Sequence, residues 1–271
     1  MSYKLAIYIK TYSGDFLRIK NLLRSIQEFN IDDIPVFISC PRDQSGSLFS
    51  MIGKEGYTYI PDEYIFTPSY RIPGWEEQML VKLNAWKNID ADNLLIIDSD
   101  AEFVREFYLD DFIAYDNVPY TIMHENKQVS EYEAALKGGD YSKTGYVKAV
   151  LAYRELFGGK SKKIYDYGPN PHLWSRKVLE SFEENYLKYN DLTMENFCFG
   201  IKSQYDIHFR ETLTYGEYLL AGRAIDIVPC GPFFKTYHWK EMWDFEEGTG
   251  LELKDNIKKS YLGIIKQSNW S

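Results

Sequence analysis

The sequence predicts an α/β protein with a mainly parallel central sheet covered by helices on both faces. Two observations carry this expectation. Short β-rich runs alternate, through the first hundred residues, with segments whose apolar residues recur at helical spacing. Two of those runs, Pro35 to Cys40 and Leu94 to Ile97, are almost wholly apolar and read as buried strands. Strands alternating with helices imply parallel pairing, and ligands of such sheets bind at the carboxyl ends of the strands.

Leu5 to Ile9 is the first strand. Asp15 is placed to cap the helix that follows, where Phe16, Ile19, Leu22, Leu23, Ile26 and Phe29 recur at helical spacing. Pro35 to Cys40 is the second strand and Tyr57 to Ile60 a short third. Trp75 to Ile89 predicts a helix burying Met79, Leu83 and Trp86, and it leads into the fourth strand, Leu94 to Ile97. Beyond residue 105 the pattern loosens. A strand is expected over Tyr120 to His124, helices over Lys143 to Phe157 and Ser175 to Lys188, and a shorter helix from Thr212 to Gly222, ending at a glycine as helices often do. Ala224 to Val228 and Phe234 to Trp239 read as late strands, and the segment after Trp243 is polar. No linker composition, internal repeat or low-complexity tract divides the chain, so 1–271 reads as one domain.

Of the 271 residues 45% are hydrophobic and 26% charged, a globular composition, and no apolar run approaches the roughly 18 residues of a membrane span. The start, Met1 to Lys10, carries a lysine inside its apolar stretch and no small-residue cleavage site, so a signal peptide is not expected. Cys40, Cys198 and Cys230 are odd in number and far apart, which suits reduced thiols in a cytoplasm. The net charge of −9 disfavours nucleic acid or anionic lipid as partner. A small anionic ligand would need a local cation, which directs attention to carboxylate clusters.

The strongest such signal is Leu94-Leu95-Ile96-Ile97-Asp98-Ser99-Asp100, an apolar strand running into two carboxylates one residue apart. Two oxygen ligands at a strand end suit a hard divalent cation that bridges to phosphate oxygens. The plainer alternative is a pair of aspartates shaping a turn.

With Thr11-Tyr12-Ser13-Gly14-Asp15 after the first strand, Gly74-Trp75-Glu76-Glu77-Gln78-Met79-Leu80-Val81-Lys82-Leu83 before the triplet, and Tyr215-Gly216-Glu217-Tyr218 late in the chain, this arrangement resembles the GT-A glycosyltransferases. The nearer resemblance is to a group of bacterial and viral proteins of the DUF6492 type. It implies a Rossmann-like GT-A fold, with residues 1–105 as a nucleotide-sugar-binding half and 106–271 as an acceptor-binding half. The activity implied is transfer of a sugar from a UDP-, GDP- or TDP-sugar to a hydroxyl of a glycan or polysaccharide.

Site roles follow from the same resemblance. Thr11, Tyr12 and Asp15 would hold the nucleoside, Gln78 and Lys82, four apart on one helical face, would reach the donor, and Asp98, Ser99 and Asp100 would hold the cation and diphosphate. His238 would be the third metal ligand, and imidazole beside carboxylates favours manganese over magnesium. Glu217 is the candidate catalytic base of an inverting reaction, on the expectation that it projects into an apolar cleft. His172 lies in a turn that could border the acceptor, and His124 and His208 have weaker context. An aromatic fraction of 17% suits sugars, with Tyr237, Trp239 and Trp243 as a candidate subsite. The alternatives are an inactive carbohydrate-binding protein of the same fold and, more remotely, a HAD-type phosphatase, in which an Asp-x-Asp triplet normally lies close to the N-terminus.

Overall fold

A computed structural model describes residues 2–125, 145–168, 170–238, 240–249 and 253–267. Its elements begin with strand β1 (Ala6–Lys10), helix α1 (Phe16–Phe29), β2 (Val36–Cys40), α2 (Ser45–Ile52), β3 (Thr58–Pro61) and the short α3 (Asp62–Ile65). Helix α4 (Gly74–Asn84) and β4 (Asn93–Asp98) complete the first half, followed by β5 (Ala101–Phe103), β6 (Ile113–Tyr115) and β7 (Val118–Ile122). Then come α5 (Gly145–Leu156), β8 (His172–Ser175), α6 (Arg176–Ser181), α7 (Met194–Tyr205) and α8 (Glu211–Gly222). The chain closes with β9 (Val228–Cys230), β10 (Phe234–Tyr237), α9 (Lys240–Gly248), α10 (Leu253–Ile257) and β11 (Gly263–Lys266).

The central sheet has the order β3-β2-β1-β4-β8. Its first four strands are parallel, and β8 runs antiparallel to β4 with His172 opposite Ile96. Successive side chains of a strand point to opposite faces. Ala6, Tyr8, Leu94 and Ile96 therefore share one core with Leu80 and Leu83 of α4 and Leu213 of α8. Leu5, Ile7, Ile9, Leu95 and Ile97 face the other core with Ile19, Leu22 and Ile26 of α1. Burial on both faces is why these strands read as unbroken apolar runs.

Two three-stranded sheets, β10-β11-β5 and β6-β7-β9, flank the central one. Phe103 of β5 stacks on Phe107 with ring centroids 3.9 Å apart and meets Phe234 of β10 edge-on. Among the described residues no helix is long and apolar enough to cross a membrane.

Several sequence expectations are redrawn. The segment Ser175 to Lys188 is not one helix: strand β8 ends at Ser175, α6 follows, and Phe182–Leu187 forms a π-helical turn. Helix α7 and strand β11 lie where no element was expected, and the helix after Trp75 stops at Asn84. The expected strand over Tyr120 to His124 is β7, two residues earlier. Asp15 makes no capping bond to α1; its carboxylate turns back to Arg18. Strand β8, from the second half of the chain, completes the sheet of the first.

Gly263 is held where β11 passes β5 and β10. A Cβ there would lie 2.5 Å from the Glu102 carbonyl oxygen and collide with the Phe234 ring. Gly263→Ala is expected to cost about 1–3 kcal/mol, as overpacking a core usually does. A lower urea midpoint at unchanged slope is the predicted signature, and a midpoint equal to the parent's would show that the contact relaxes freely.

Candidate functional site

The carboxyl ends of β1 and β4 lie side by side, with Lys10 paired in register with Asp98. Alternation turns both side chains to the face that α4 and α8 cover. Each residue meets an opposite charge there. Lys10 Nζ is 2.9 Å from Asp62 Oδ2, at the start of α3, and donates to the Thr11 carbonyl at 2.7 Å. Lys82 of α4, only 2% exposed, places Nζ 2.7 Å from Asp98 Oδ1 and 3.6 Å from Glu211 Oε1, the first residue of α8. Two lysines thus face three carboxylates, leaving one formal negative charge in excess.

Burial fixes the protonation of this cluster. Desolvation alone would raise the Asp98 carboxyl, but the Lys82 ammonium reverses that and holds it below the usual carboxylate range. Desolvation likewise opposes the charge on Lys82, and Asp98 and Glu211 together raise it above an ordinary lysine. Asp62 is shifted the other way, because burial outweighs its pairing with Lys10. His172 is pushed down to about 4, first by burial and then by the nearby Lys82 charge, so the ring is neutral at pH 7.

Around Asp98 several buried polar atoms lack partners among the described residues. The Asp98 backbone N–H donates to Asn170 Oδ1 at 2.9 Å, which leaves Asn170 Nδ2 buried and unsatisfied. Thr11 Oγ1, His172 Nδ1 and Asp62 Oδ1 are in the same state. Buried polar groups are nearly always hydrogen-bonded, so a concentration of exceptions marks a place that expects a polar ligand. The Asp98 side chain, 34% accessible, is where solvent reaches the cluster.

The structure brings together only some of the residues expected from sequence. Thr11, Lys82, Asp98 and the buried Ser99 lie at or beside the cluster, and Gln78 is half-buried on α4. Tyr12 is exposed beyond β1, and Asp15 is engaged with Arg18. The Asp100 carbonyl accepts from the Lys266 N–H. Among the described residues no three His, Cys, Asp or Glu side chains form a group able to hold a metal ion. Of the expected ligand set Asp98, Asp100 and His238, Asp98 meets Lys82 through one oxygen, Oδ1, and its side chain remains 34% accessible.

Glu217 is also corrected. It does not project into a cleft but is 1% exposed inside α8, where Arg154 Nε and Nη2 donate to its two oxygens at 3.0 and 2.6 Å and Tyr167 adds a third bond at 2.9 Å. The proposed aromatic subsite dissolves similarly. Tyr237 is fully buried, Trp243 packs edge-on against it, and Trp239 lies outside the described residues. Sequence reasoning missed Lys10, Asp62, Asn170 and Glu211. Only Lys10 gave a signal, as a charge closing an apolar strand.

A family model described as "Family of unknown function (DUF6492)" matches residues 2–241. No curated protein matches the sequence. Among solved structures, mouse xyloside xylosyltransferase 1 in its apo form is similar at a TM-score of 0.53 and 7% identity, covering 100% of this chain and 99% of that one. An active-site mutant of LgtC is similar at a TM-score of 0.50 and 12% identity, covering 96% of this chain and 86% of that one. At such identities the likeness shows the fold, which is that of the GT-A glycosyltransferases.

Two outcomes follow from the buried charges. Arg154→Met leaves the Glu217 carboxylate buried without its cation and is expected to cost about 3–5 kcal/mol in chemical denaturation; a loss below about 1 kcal/mol would mean the pair is readily hydrated. His172 takes a proton near pH 6.5 when unfolded and only near 4 when folded. Between those values the unfolded state binds more protons, so stability is kept above pH 6.5 and lost as pH falls toward 4, by roughly 3 kcal/mol in full. Denaturation at about pH 4.5 and pH 7 should show a smaller difference for His172→Gln than for the parent.

Proposed function

The chain belongs to the DUF6492 family, and from that premise, with its glycosyltransferase fold, we propose that it transfers a sugar from a nucleotide-diphosphate sugar to a hydroxyl of a saccharide. The observation that carries this reading is the cluster of Lys82, Asp98 and Glu211 with its unsatisfied neighbours Thr11, Asn170 and His172. It lies at the carboxyl ends of parallel strands, where open α/β sheets bind ligands.

The charge balance orients the donor. One excess negative charge repels a diphosphate but suits a sugar, whose hydroxyls donate to carboxylates and accept from an amide. We place the donor sugar against Asp98, Asn170 and His172, and the nucleoside toward Thr11 and the unsatisfied oxygen of Asp62. Gln78, half-buried on α4, faces the same region in this reading. Residues 106–271 thus share the donor site through Asn170, His172 and Glu211, rather than serving the acceptor alone.

In an inverting transfer the acceptor oxygen attacks the anomeric carbon, the bond to the diphosphate breaks with its electron pair, and the acceptor proton must leave. We assign that proton to Glu211, whose side chain is 14% exposed and fixed by its contact with Lys82. Dependence on a divalent cation, manganese included, is read by a donor panel with and without EDTA. A cytoplasmic setting belongs to the same reading and is supported by three free cysteines.

The test is nucleotide release from a panel of UDP-, GDP- and TDP-sugars, with manganese, magnesium or EDTA, with and without a saccharide mixture. One donor should be cleaved. Glu211→Gln should lower the transfer rate by roughly 10²–10⁴-fold and Asp98→Asn by at least about 100-fold. Cleavage of no donor by the parent would leave a carbohydrate-binding protein as the better reading.

A further inference from the structure

The α4 helix that buries Lys82 carries Trp75 in its first turn. Seven residues of helix amount to about 10 Å of rise and return the side chain to within roughly 20° of the same face. Trp75 therefore stands two turns above Lys82 on one stripe of the helix, with Gln78 between them. The opposite element repeats the arrangement. Three residues before Glu211 lies His208, and its ring meets Trp75 edge-on, with centroids 5.3 Å apart and planes at 74°.

The same two chain segments thus touch twice. Lys82 meets Glu211 at 3.6 Å in the depth of the site, and Trp75 meets His208 at its rim. Unlike the buried pair, the rim rings face solvent: Trp75 is 48% exposed, and His208 is exposed as well. An indole with half its surface in water forgoes the burial that makes aromatic rings stabilising, unless something else covers it.

The segment before Trp75 is also held. Glu195 at the start of α7 accepts from both the backbone N–H and the hydroxyl of Ser69, and Tyr70 donates to the Glu195 carbonyl at 3.3 Å. The chain leading into the rim is thus tied to α7, as a binding surface must be if it is not to lose affinity to ordering on contact.

We propose that Trp75 and His208 form the acceptor rim of the site and hold a pyranoside by stacking on its apolar CH face. This inference rests on the transferase reading and deepens it by naming this pair as the platform that holds the acceptor. Trp75 stands two turns along α4 from Lys82, which meets Glu211, and touches His208, three residues before Glu211, so a ring stacked on it lies on the side of the carboxylate assigned to take the acceptor proton. Gln78, between Trp75 and Lys82 on the same stripe, is positioned to bond a ring hydroxyl.

The experiment is saturation-transfer NMR with methyl glycosides of galactose, glucose, xylose and mannose, applied to the parent, Trp75→Ala, Trp75→Phe, His208→Ala and the distant exposed-ring control Tyr189→Ala. At least one glycoside should bind the parent. Trp75→Ala should weaken that binding roughly tenfold or abolish it, in line with the worth of an aromatic stacking contact. His208→Ala should weaken it less, Trp75→Phe should retain most of it, and Tyr189→Ala should match the parent. Equal affinity in parent and Trp75→Ala, or no glycoside bound by the parent, would overturn the proposal. Donor cleavage by the parent without saccharide reads the transferase proposal separately, so the two can fail independently.

Discussion

Lys82 is the constraint on which the rest of the site depends. An ammonium removed from water costs several kcal/mol unless opposite charges receive it, and here they come from two distant places, the end of β4 and the start of α8. Satisfying one buried cation therefore fixes α4, β4 and α8 against one another at the carboxyl edge of the sheet. Lys10 and Asp62 repeat the device between β1 and α3. The edge that the topology reserves for ligands is thus lined with paired charges rather than closed by apolar packing.

Helix α8 shows how position decides the fate of one residue type. Glu211 opens the helix at the mouth of the site, partly exposed and shared with Lys82. Less than two turns later Glu217 is sealed by Arg154 and Tyr167, and Gly216 beside it leaves room for the Tyr167 ring, which any Cβ would strike. The inner glutamate locks α8 to α5, and the outer one, which we propose as the base, stays partly exposed. A rigid lock under a reactive group is what a site needs if its geometry is to be held to fractions of an ångström.

The parallel strands were legible because burial on both faces leaves a continuous apolar run, as in Leu5 to Ile9 and Leu94 to Ile97. Asp98 was legible for the same reason, as the charge that ends such a run. Its partner was not, since nothing local to Lys82 says that its side chain will be buried against a strand end. That Glu217 is sealed while Glu211 stays partly open was not legible on the same ground: both lie on one helix, and only tertiary packing separates them. Strand β8 escaped because His172–Ser175 is four residues long and runs directly into a helix, so its period is too short to read.

In the proposed site a nucleotide-sugar lies with its sugar on Asp98, Asn170 and His172. The most direct measurement is the crystal structure of the protein soaked with the UDP-, GDP- or TDP-sugar that binds most tightly. Sugar hydroxyls are expected within hydrogen-bonding distance of Asp98 and of the Asn170 and His172 nitrogens that lack partners among the described residues. A sugar-nucleotide seated elsewhere on the molecule, with the Lys82–Asp98–Glu211 cluster untouched, would contradict this placement.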